Sequence, residues 1–256
     1  LNVAATTNVK WGNTRLRVAL VLDNTGSMSS DGKMTALKTA TNGLLDQLKS
    51  AAVNNGDVYV SIVPFVKDVN VGASNYQANW IDWTDWDKSN GNCSNNDYKS
   101  KSSCESHGKT WTPKNHNTWT GCVVDRGNSS APSSGNYDTN VTVPTVTIAA
   151  TLFAAEQYSS CPQTVMPLNY DWTLMKFLVN NMSPNGNTNQ GIGLAHGWMS
   201  LVGGGPYPAP PSEDPNYKYT KVIILLSDGL NTENRWYTSQ SSIDARQALT
   251  CANAKA

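Results

Sequence analysis

Three nearly continuous apolar runs mark this chain, and each has the length of one β-strand. They cover residues 16–22, 58–66 and 221–226. A run that is apolar on both faces is typical of a central strand in a parallel sheet, because helices cover such a sheet on both sides. A shorter apolar stretch at residues 69–71 predicts an edge strand. The pattern therefore favours a buried parallel sheet.

Helical spacing of apolar residues follows the first run. Residues 33–52 carry it, with Ser30 or Asp31 as the predicted N-terminal cap. The apolar positions of this predicted helix are Met34, Leu37, Leu44, Leu45 and Leu48. Further helices are predicted over residues 172–179, 191–201 and 242–254. The order of strand, loop, helix and strand implies a right-handed βαβ unit. We therefore expect an α/β fold with a doubly wound, mostly parallel central sheet and flanking helices.

The composition changes between residues 72 and 169. This stretch is rich in Trp, Asn, Ser, Gly and Cys, and helical periodicity vanishes. A structureless loop of this length is improbable in a compact domain. We interpret it as an inserted subdomain that separates two halves of one domain, residues 14–71 and 170–256, after a leader at residues 1–13. Within it only residues 141–155 look regular, as a strand leading into a short helix.

Five cysteines bear on the compartment of the protein. Four stand among polar residues and Trp rather than in an apolar core, which predicts disulfides and an oxidising compartment. They are Cys93, Cys104, Cys122 and Cys161. Four cysteines allow three pairings and the sequence does not choose among them; we prefer Cys93–Cys104 and Cys122–Cys161. The fifth, Cys251, would then stay free or pair outside this chain.

A zinc site is the alternative for two of these cysteines. Cys93 and Cys104 have His107 and His116 nearby in the sequence. Their spacing fits no common zinc module, so disulfide formation is the preferred interpretation. The tryptophans of the insertion are interpreted mainly as the core of a segment with few aliphatic residues, with an adhesive or sugar-binding surface as the alternative. His196, between Ala195 and Gly197, is interpreted as a packed side chain rather than a ligand.

Charge and hydropathy exclude two classes of partner. Lys plus Arg and Asp plus Glu both total 19, so the formal net charge is zero and the basic field of a nucleic-acid binder is missing. No run of about 18 apolar residues exists, so we expect no membrane span in this chain. No signal peptide is recognised. The first residue is Leu1 rather than Met, and we expect a trimmed or processed chain.

Two of the apolar runs end in an aspartate. Asp23 follows the first run, and Asp228 closely follows the last. Ligands of open α/β sheets bind outside the carboxyl ends of the strands, so both carboxylates are expected at one edge. Adjacent carboxylates repel, and a divalent cation removes the conflict. Thr25 and Ser27 add hydroxyl oxygens, and an all-oxygen set suits Mg²⁺, with Mn²⁺ or Ca²⁺ as alternatives.

Three segments together resemble a known metal site. Residues 23–28, DNTGSM, resemble the D-x-S/T-G-S-M form of the metal-ion-dependent adhesion site of von Willebrand factor A (vWA) domains. Residues 187–189, before a Gly-rich helix, resemble the second loop of that site, and residues 226–229, LSDG, resemble the third. All three occur in the order of the family, which makes the set far more specific than one motif.

The resemblance implies a Rossmann-like vWA fold and a role for each residue. Thr25, Ser27 and Thr188 would bind one divalent ion directly, while Asp23 and Asp228 would act largely through water. Thr25 replaces the commoner Ser and keeps the oxygen. An open position on the ion would accept an Asp or Glu carboxylate of a protein partner. The resemblance thus implies a binding module for adhesion or assembly, and not an enzyme.

A narrower resemblance concerns the TadG-like proteins of bacterial Tad (Flp) pilus assembly. Residues 186–198, GNTNQGIGLAHGW, are similar to that group, as are residues 80–83, 121–126 and 161–162. It implies a periplasmic or cell-surface protein with an N-terminal membrane helix, and pilus components as partners. A vWA fold would also continue beyond Cys251 with a further strand and helix, which we expect to be missing here.

An enzyme is the alternative function. The strand followed by Asp23 superficially fits a haloacid-dehalogenase-like, Mg²⁺-dependent phosphatase that uses Asp23 as nucleophile. That chemistry needs a second acid two residues later as general acid, and Thr25 stands there. Ser27 and Thr188 would also have no role. The sequence therefore favours the binding module.

Overall fold

The computed structural model describes residues 14–128 and 136–256. The predicted leader, residues 1–13, lies outside the described residues. The strands are β1 (Thr14–Asp23), β2 (Val58–Phe65), β3 (Val69–Asn70), β4 (Ile81–Asp82), β5 (Gly91–Cys93), β6 (Trp111–Pro113), β7 (Cys122–Val124), β8 (Phe153–Glu156), β9 (Met166–Asn169) and β10 (Lys218–Leu226). The helices are α1 (Lys33–Ala51), α2 (Thr84–Ser89), α3 (Lys101–Ser106), α4 (Trp172–Asn180), α5 (Gln190–Val202) and α6 (Gln240–Lys255).

The three long strands form the parallel centre of the main sheet. β1 lies in the middle, with β10 on one side and β2 on the other. In this register Val18 stands opposite both Val222 and Val60. Because parallel strands share one direction, their carboxyl ends meet at one edge, where Asp23 ends β1 and Asp228 follows β10. The predicted α/β class, with a mostly parallel central sheet and flanking helices, is confirmed.

Helices cover both faces of this centre. Alternate residues of β1 point to opposite sides: Leu20 and Leu22 pack into a core with α1 and α4, while Val21 packs into a second core with α5. These β1 residues are fully buried, so their burial on both faces explains the uninterrupted apolar run. The buried positions that α1 contributes include Met34, Leu37 and Leu45.

The segment 72–169 joins the main sheet. Its strands β4, β7, β8 and β9 all belong to the sheet that contains β1, while β5 and β6 pair separately. β3 pairs with β7 as well as β2, so the prediction that residues 69–71 form an edge strand is wrong. The reason is that β7, too short for a sequence pattern, covers its outer side.

Two local predictions need correction. Residues 141–155 were expected to form a strand followed by a helix; the structure has a 3₁₀ turn at Ala149–Thr151 followed by β8. The Thr151 hydroxyl holds that turn by accepting a hydrogen bond from the Thr145 amide at 2.7 Å. Helix α1 begins after Gly32, whose φ is 70°, and neither Ser30 nor Asp31 supplies a side-chain cap.

Two disulfides link the segment internally. Cys93 bonds to Cys104, and Cys122 bonds to Cys161, which are the two preferred pairs. Cys251 is free and half-buried. Since disulfides persist in oxidising compartments, the protein belongs outside the cytoplasm. Across residues 14–128 and 136–256, no helix has the length and apolar character that crossing a bilayer requires.

Candidate metal site

The first loop of the candidate site begins at the buried Asp23 carboxylate. Its Oδ1 accepts a hydrogen bond from the Thr25 amide at 2.8 Å. Its Oδ2 accepts a hydrogen bond from the Ser227 hydroxyl at 2.6 Å. The side chain that ends β1 is therefore held at both oxygens, once by its own loop and once by the loop after β10. Both donors are neutral, so they stabilise the carboxylate without cancelling its charge.

Hydroxyl groups continue this network to the second carboxylate. Thr25 Oγ1 and Ser27 Oγ lie 3.0 Å apart. Ser27 Oγ donates to Asp228 Oδ1 at 2.9 Å. Since Ser227, the partner of Asp23, directly precedes Asp228, four of the five predicted site residues meet in one hydrogen-bonded cluster: Asp23, Thr25, Ser27 and Asp228.

The loop of Thr188 is fastened to this cluster through its backbone. The Gly26 amide donates to the Gly186 carbonyl at 2.9 Å. A Cβ on Gly26 would lie 3.3 Å from the same oxygen, so this close approach favours glycine. Thr188 itself is buried, and its amide donates to Thr232 Oγ1 at 2.8 Å. The structure thus brings the predicted second loop against the first.

Gln190 ties the second loop to the third. Its side-chain amide donates to the Gly229 carbonyl at 2.7 Å and to Ser227 Oγ at 3.2 Å. Its backbone amide donates to Asn231 Oδ1 at 2.7 Å. Sequence reasoning assigned no role to Ser227 or Gln190, although both stand inside the quoted motifs. Their position was the available signal, since Ser227 directly precedes Asp228 and Gln190 lies two residues after Thr188.

Lys33 is the main site residue that the sequence did not suggest. Its Nζ lies 2.7 Å from Asp228 Oδ2. Partial burial raises the pKa of Asp228, but the hydrogen bonds from Lys33 and Ser27 outweigh it, so the pKa lies below its usual value. The hydrogen bond to Asp228 raises the pKa of Lys33. A charged pair therefore stands at the rim of the cluster.

Behind the Thr188 loop lies a second charged network. Lys67 Nζ contacts Glu156 at 2.8 Å and Glu233 at 3.2 Å. Burial lowers the pKa of Lys67, but Glu156 and the other surrounding carboxylates outweigh it, so the net shift is upward. The Glu233 amide donates to the Thr188 carbonyl at 3.2 Å. This network supports the backbone that carries Thr188.

The donor set fits a hard divalent cation. Two carboxylates and three hydroxyls are all oxygen donors, without imidazole or thiolate, which is the chemistry that Mg²⁺, Ca²⁺ and Mn²⁺ favour. The zinc alternative fails because Cys93 and Cys104 are bonded to each other. His116 stacks on Trp83 with ring centroids 3.8 Å apart.

His196 packs as the sequence predicted. It is buried, and its Nδ1 lies 2.9 Å from the Tyr207 hydroxyl. Burial lowers the pKa of His196 to about 3, so the ring is neutral at physiological pH.

Comparison with known proteins adds no family assignment. No family model matches the chain, and no curated protein matches it. The functional argument therefore depends on the geometry of the site and on the residues that form it.

Proposed function

We propose that this chain is a vWA-type domain that binds one divalent metal ion, most favourably Mg²⁺, and uses it to hold a carboxylate of a protein partner. The residues of the site are Asp23, Thr25, Ser27, Thr188 and Asp228. The observation that carries the proposal is the hydrogen-bonded cluster that joins the ends of β1 and β10 through Ser27 and Ser227. It gathers hard oxygen donors from two distant segments at the edge where such folds bind ligands.

The protein residues have distinct parts in this proposal. The hydroxyls of Thr25, Ser27 and Thr188 are neutral ligands, while Asp23 and Asp228 supply negative charge. When bound, the ion supplies an electrophilic position for a partner carboxylate. The Thr25 amide and the Ser227 hydroxyl fix Asp23 before the ion arrives, which reduces the entropy lost on binding.

Burial of Asp23 supports binding rather than catalysis. Its side chain is 0% exposed, and both of its oxygens already accept hydrogen bonds. A phosphatase nucleophile needs an accessible oxygen and a nearby general acid, and Thr25 offers a hydroxyl instead. This arrangement favours the binding module over the haloacid-dehalogenase-like alternative.

The disulfides and the sequence motifs indicate where the protein meets its partner and what kind of protein that partner is. The disulfides indicate an oxidising compartment, and the similarity to TadG-like proteins favours the bacterial periplasm or cell surface. We propose pilus components with an exposed Asp or Glu as partners. A full-length protein of that kind would be anchored by an N-terminal membrane helix.

Calorimetric titration with Mn²⁺ and Mg²⁺ tests the proposal. We expect Asp23→Ala, Asp228→Ala and Thr188→Val each to weaken metal affinity by about tenfold or more. The two aspartate variants remove negative charge that attracts the ion, and Thr188→Val removes a hydroxyl ligand. Thr188→Ser keeps the oxygen and should restore most of the affinity. Asp97→Asn, an exposed change in another part of the chain, is the control.

Circular dichroism establishes that each variant is folded. Unchanged affinity in all three ligand variants would refute the site. A phosphatase assay with Mg²⁺ separates the alternative: turnover that Asp23→Asn abolishes would favour the enzyme over the binding module.

A further inference from the structure

Lys33 is placed against the candidate metal site at the start of α1. Its ammonium lies 2.7 Å from Asp228 Oδ2 and 3.5 Å from the Ser27 carbonyl oxygen. The other oxygen of Asp228 accepts the hydrogen bond from Ser27 Oγ. The ammonium therefore contacts two of the three loops that supply the proposed site residues, and it contacts Asp228 directly at its carboxylate.

The helix itself does not explain this position. Lys33 is the first residue of α1, where the helix dipole is positive and a cation is unfavourable by roughly 0.3–1 kcal/mol. The first turn of α1 contains no acidic residue that would offset this cost. The ion pair with Asp228 supplies the compensation, so the placement of Lys33 belongs to the site rather than to the helix.

We propose that Lys33 is a tethered counter-ion that neutralises Asp228 when no metal is bound and must move away when a dication binds. This inference rests on the proposed function, and it adds a residue that sets the affinity of the site. Lys33 and the ion compete for the same carboxylate, because an ammonium at this distance repels a dication bound beside Asp228.

The side chain of Lys33 is able to leave. It is 37% exposed, and its flexible four-carbon stem lets the ammonium reach solvent without moving the backbone. Lys33 therefore offsets the charge of Asp228, and a dication must displace it from that carboxylate. Displacing Lys33 costs free energy and weakens metal binding. A variant without the Lys33 charge should therefore bind the ion more tightly than the wild type.

Titration of the folded chain with Mn²⁺ alone tests this. We expect Lys33→Met to bind Mn²⁺ about three- to tenfold more tightly than the wild type, which corresponds to loss of one partly exposed ion pair and one like-charge repulsion. Lys33→Arg keeps the charge and should return the affinity toward the wild-type value. Lys49→Met, an exposed change in the last turn of the same helix, is the matched control.

A second readout follows the lysine itself. In nuclear magnetic resonance spectra, the Lys33 side-chain signals should move toward solvent-like values when Mg²⁺ is added, while those of Lys49 stay unchanged. Tighter binding in Lys33→Met and in Lys49→Met alike would show a general charge effect and overturn the inference.

Unchanged or weaker Mn²⁺ binding in Lys33→Met, with a wild type that binds, would also overturn the inference while leaving the proposed function intact. Absence of binding in the wild type and in Lys33→Met would instead refute the proposed function, and the inference with it.

Discussion

The carboxyl group of Asp68 lies in an unusual environment. It is 0% exposed, and within the described residues no N–H or hydroxyl group donates a hydrogen bond to either of its carboxyl oxygens. Burial raises the pKa of Asp68 well above its usual value; the nearby Glu156 raises it further, Lys67 lowers it, and Asp125 raises it. A proton on Asp68 turns its contact with Glu156 into a hydrogen bond. The folded chain therefore retains a proton that the unfolded chain releases.

This difference makes stability depend on pH in a defined direction. Because the folded pKa is raised, the contribution of Asp68 is fully present below its unfolded pKa of about 4 and is lost as pH rises toward the folded pKa. We expect Asp68→Asn to lose less stability than the wild type between pH 5 and pH 8, as measured by urea unfolding.

The exposed substitution Asp97→Asn is the control for Asp68→Asn and should follow the wild type. If the free energy of unfolding of the wild type and of Asp68→Asn fell in parallel between pH 5 and pH 8, the proposed role of Asp68 would be contradicted.

Helix α5 packs against the central strands through two glycines that leave no room for a side chain. A Cβ on Gly197 would lie 2.4 Å from Val21 Cγ2, and one on Gly193 would lie 2.7 Å from the Phe65 ring. Both neighbours are fully buried side chains of β1 and β2. The glycines thus set the distance between α5, which follows Thr188, and β1, which ends at Asp23.

A matched pair of substitutions tests this packing. We expect Gly197→Ala to destabilise the fold by about 1–3 kcal/mol, because the buried Val21 must move to admit the methyl group. Gly43→Ala places its Cβ in open space on α1 and should stabilise by about 0.5–1 kcal/mol through helix propensity. Thermal and urea unfolding measure both, and a destabilised Gly43→Ala or a neutral Gly197→Ala would contradict the packing argument.

The two disulfides act on different parts of the whole molecule. Cys122–Cys161 spans 39 residues and links β7 of the main sheet to the segment before β9. Cys93–Cys104 spans 11 residues and lies in the small core of the β5–β6 pair. Cross-linking a longer loop removes more entropy from the unfolded chain.

Replacing each pair with alanines separates these effects. We expect Cys122→Ala/Cys161→Ala to cost about 1 kcal/mol more than Cys93→Ala/Cys104→Ala in urea unfolding, from the ratio of loop lengths. Metal affinity should be unchanged in Cys93→Ala/Cys104→Ala, since this disulfide lies in the separate β5–β6 pair. A larger loss of stability for the shorter loop would show that native packing, rather than chain entropy, dominates.

Apolar pattern alone was enough for the central strands and the main helices. Burial on both faces of β1, β2 and β10 leaves a continuous apolar signature, and burial on one face of α1 leaves a helical one. The position of Asp23 and Asp228 after two of these strands also predicted both aspartates at one edge of the sheet. Strands of two to four residues, such as β4, β7 and β8, leave no such signature.

Sequence by itself therefore determined the class of fold and the oxygen-rich residues of the candidate site, because those follow from local pattern and residue chemistry. The structure selected the disulfide pairs Cys93–Cys104 and Cys122–Cys161 among the three possible pairings. Only the tertiary structure decided that Ser227 holds Asp23, that Lys33 neutralises Asp228 and that Asp68 is buried beside Glu156. Each of these is a contact between residues from different elements. Such contacts depend on how strands and helices pack. The order of residues along the chain does not directly encode which residues of different elements come close together.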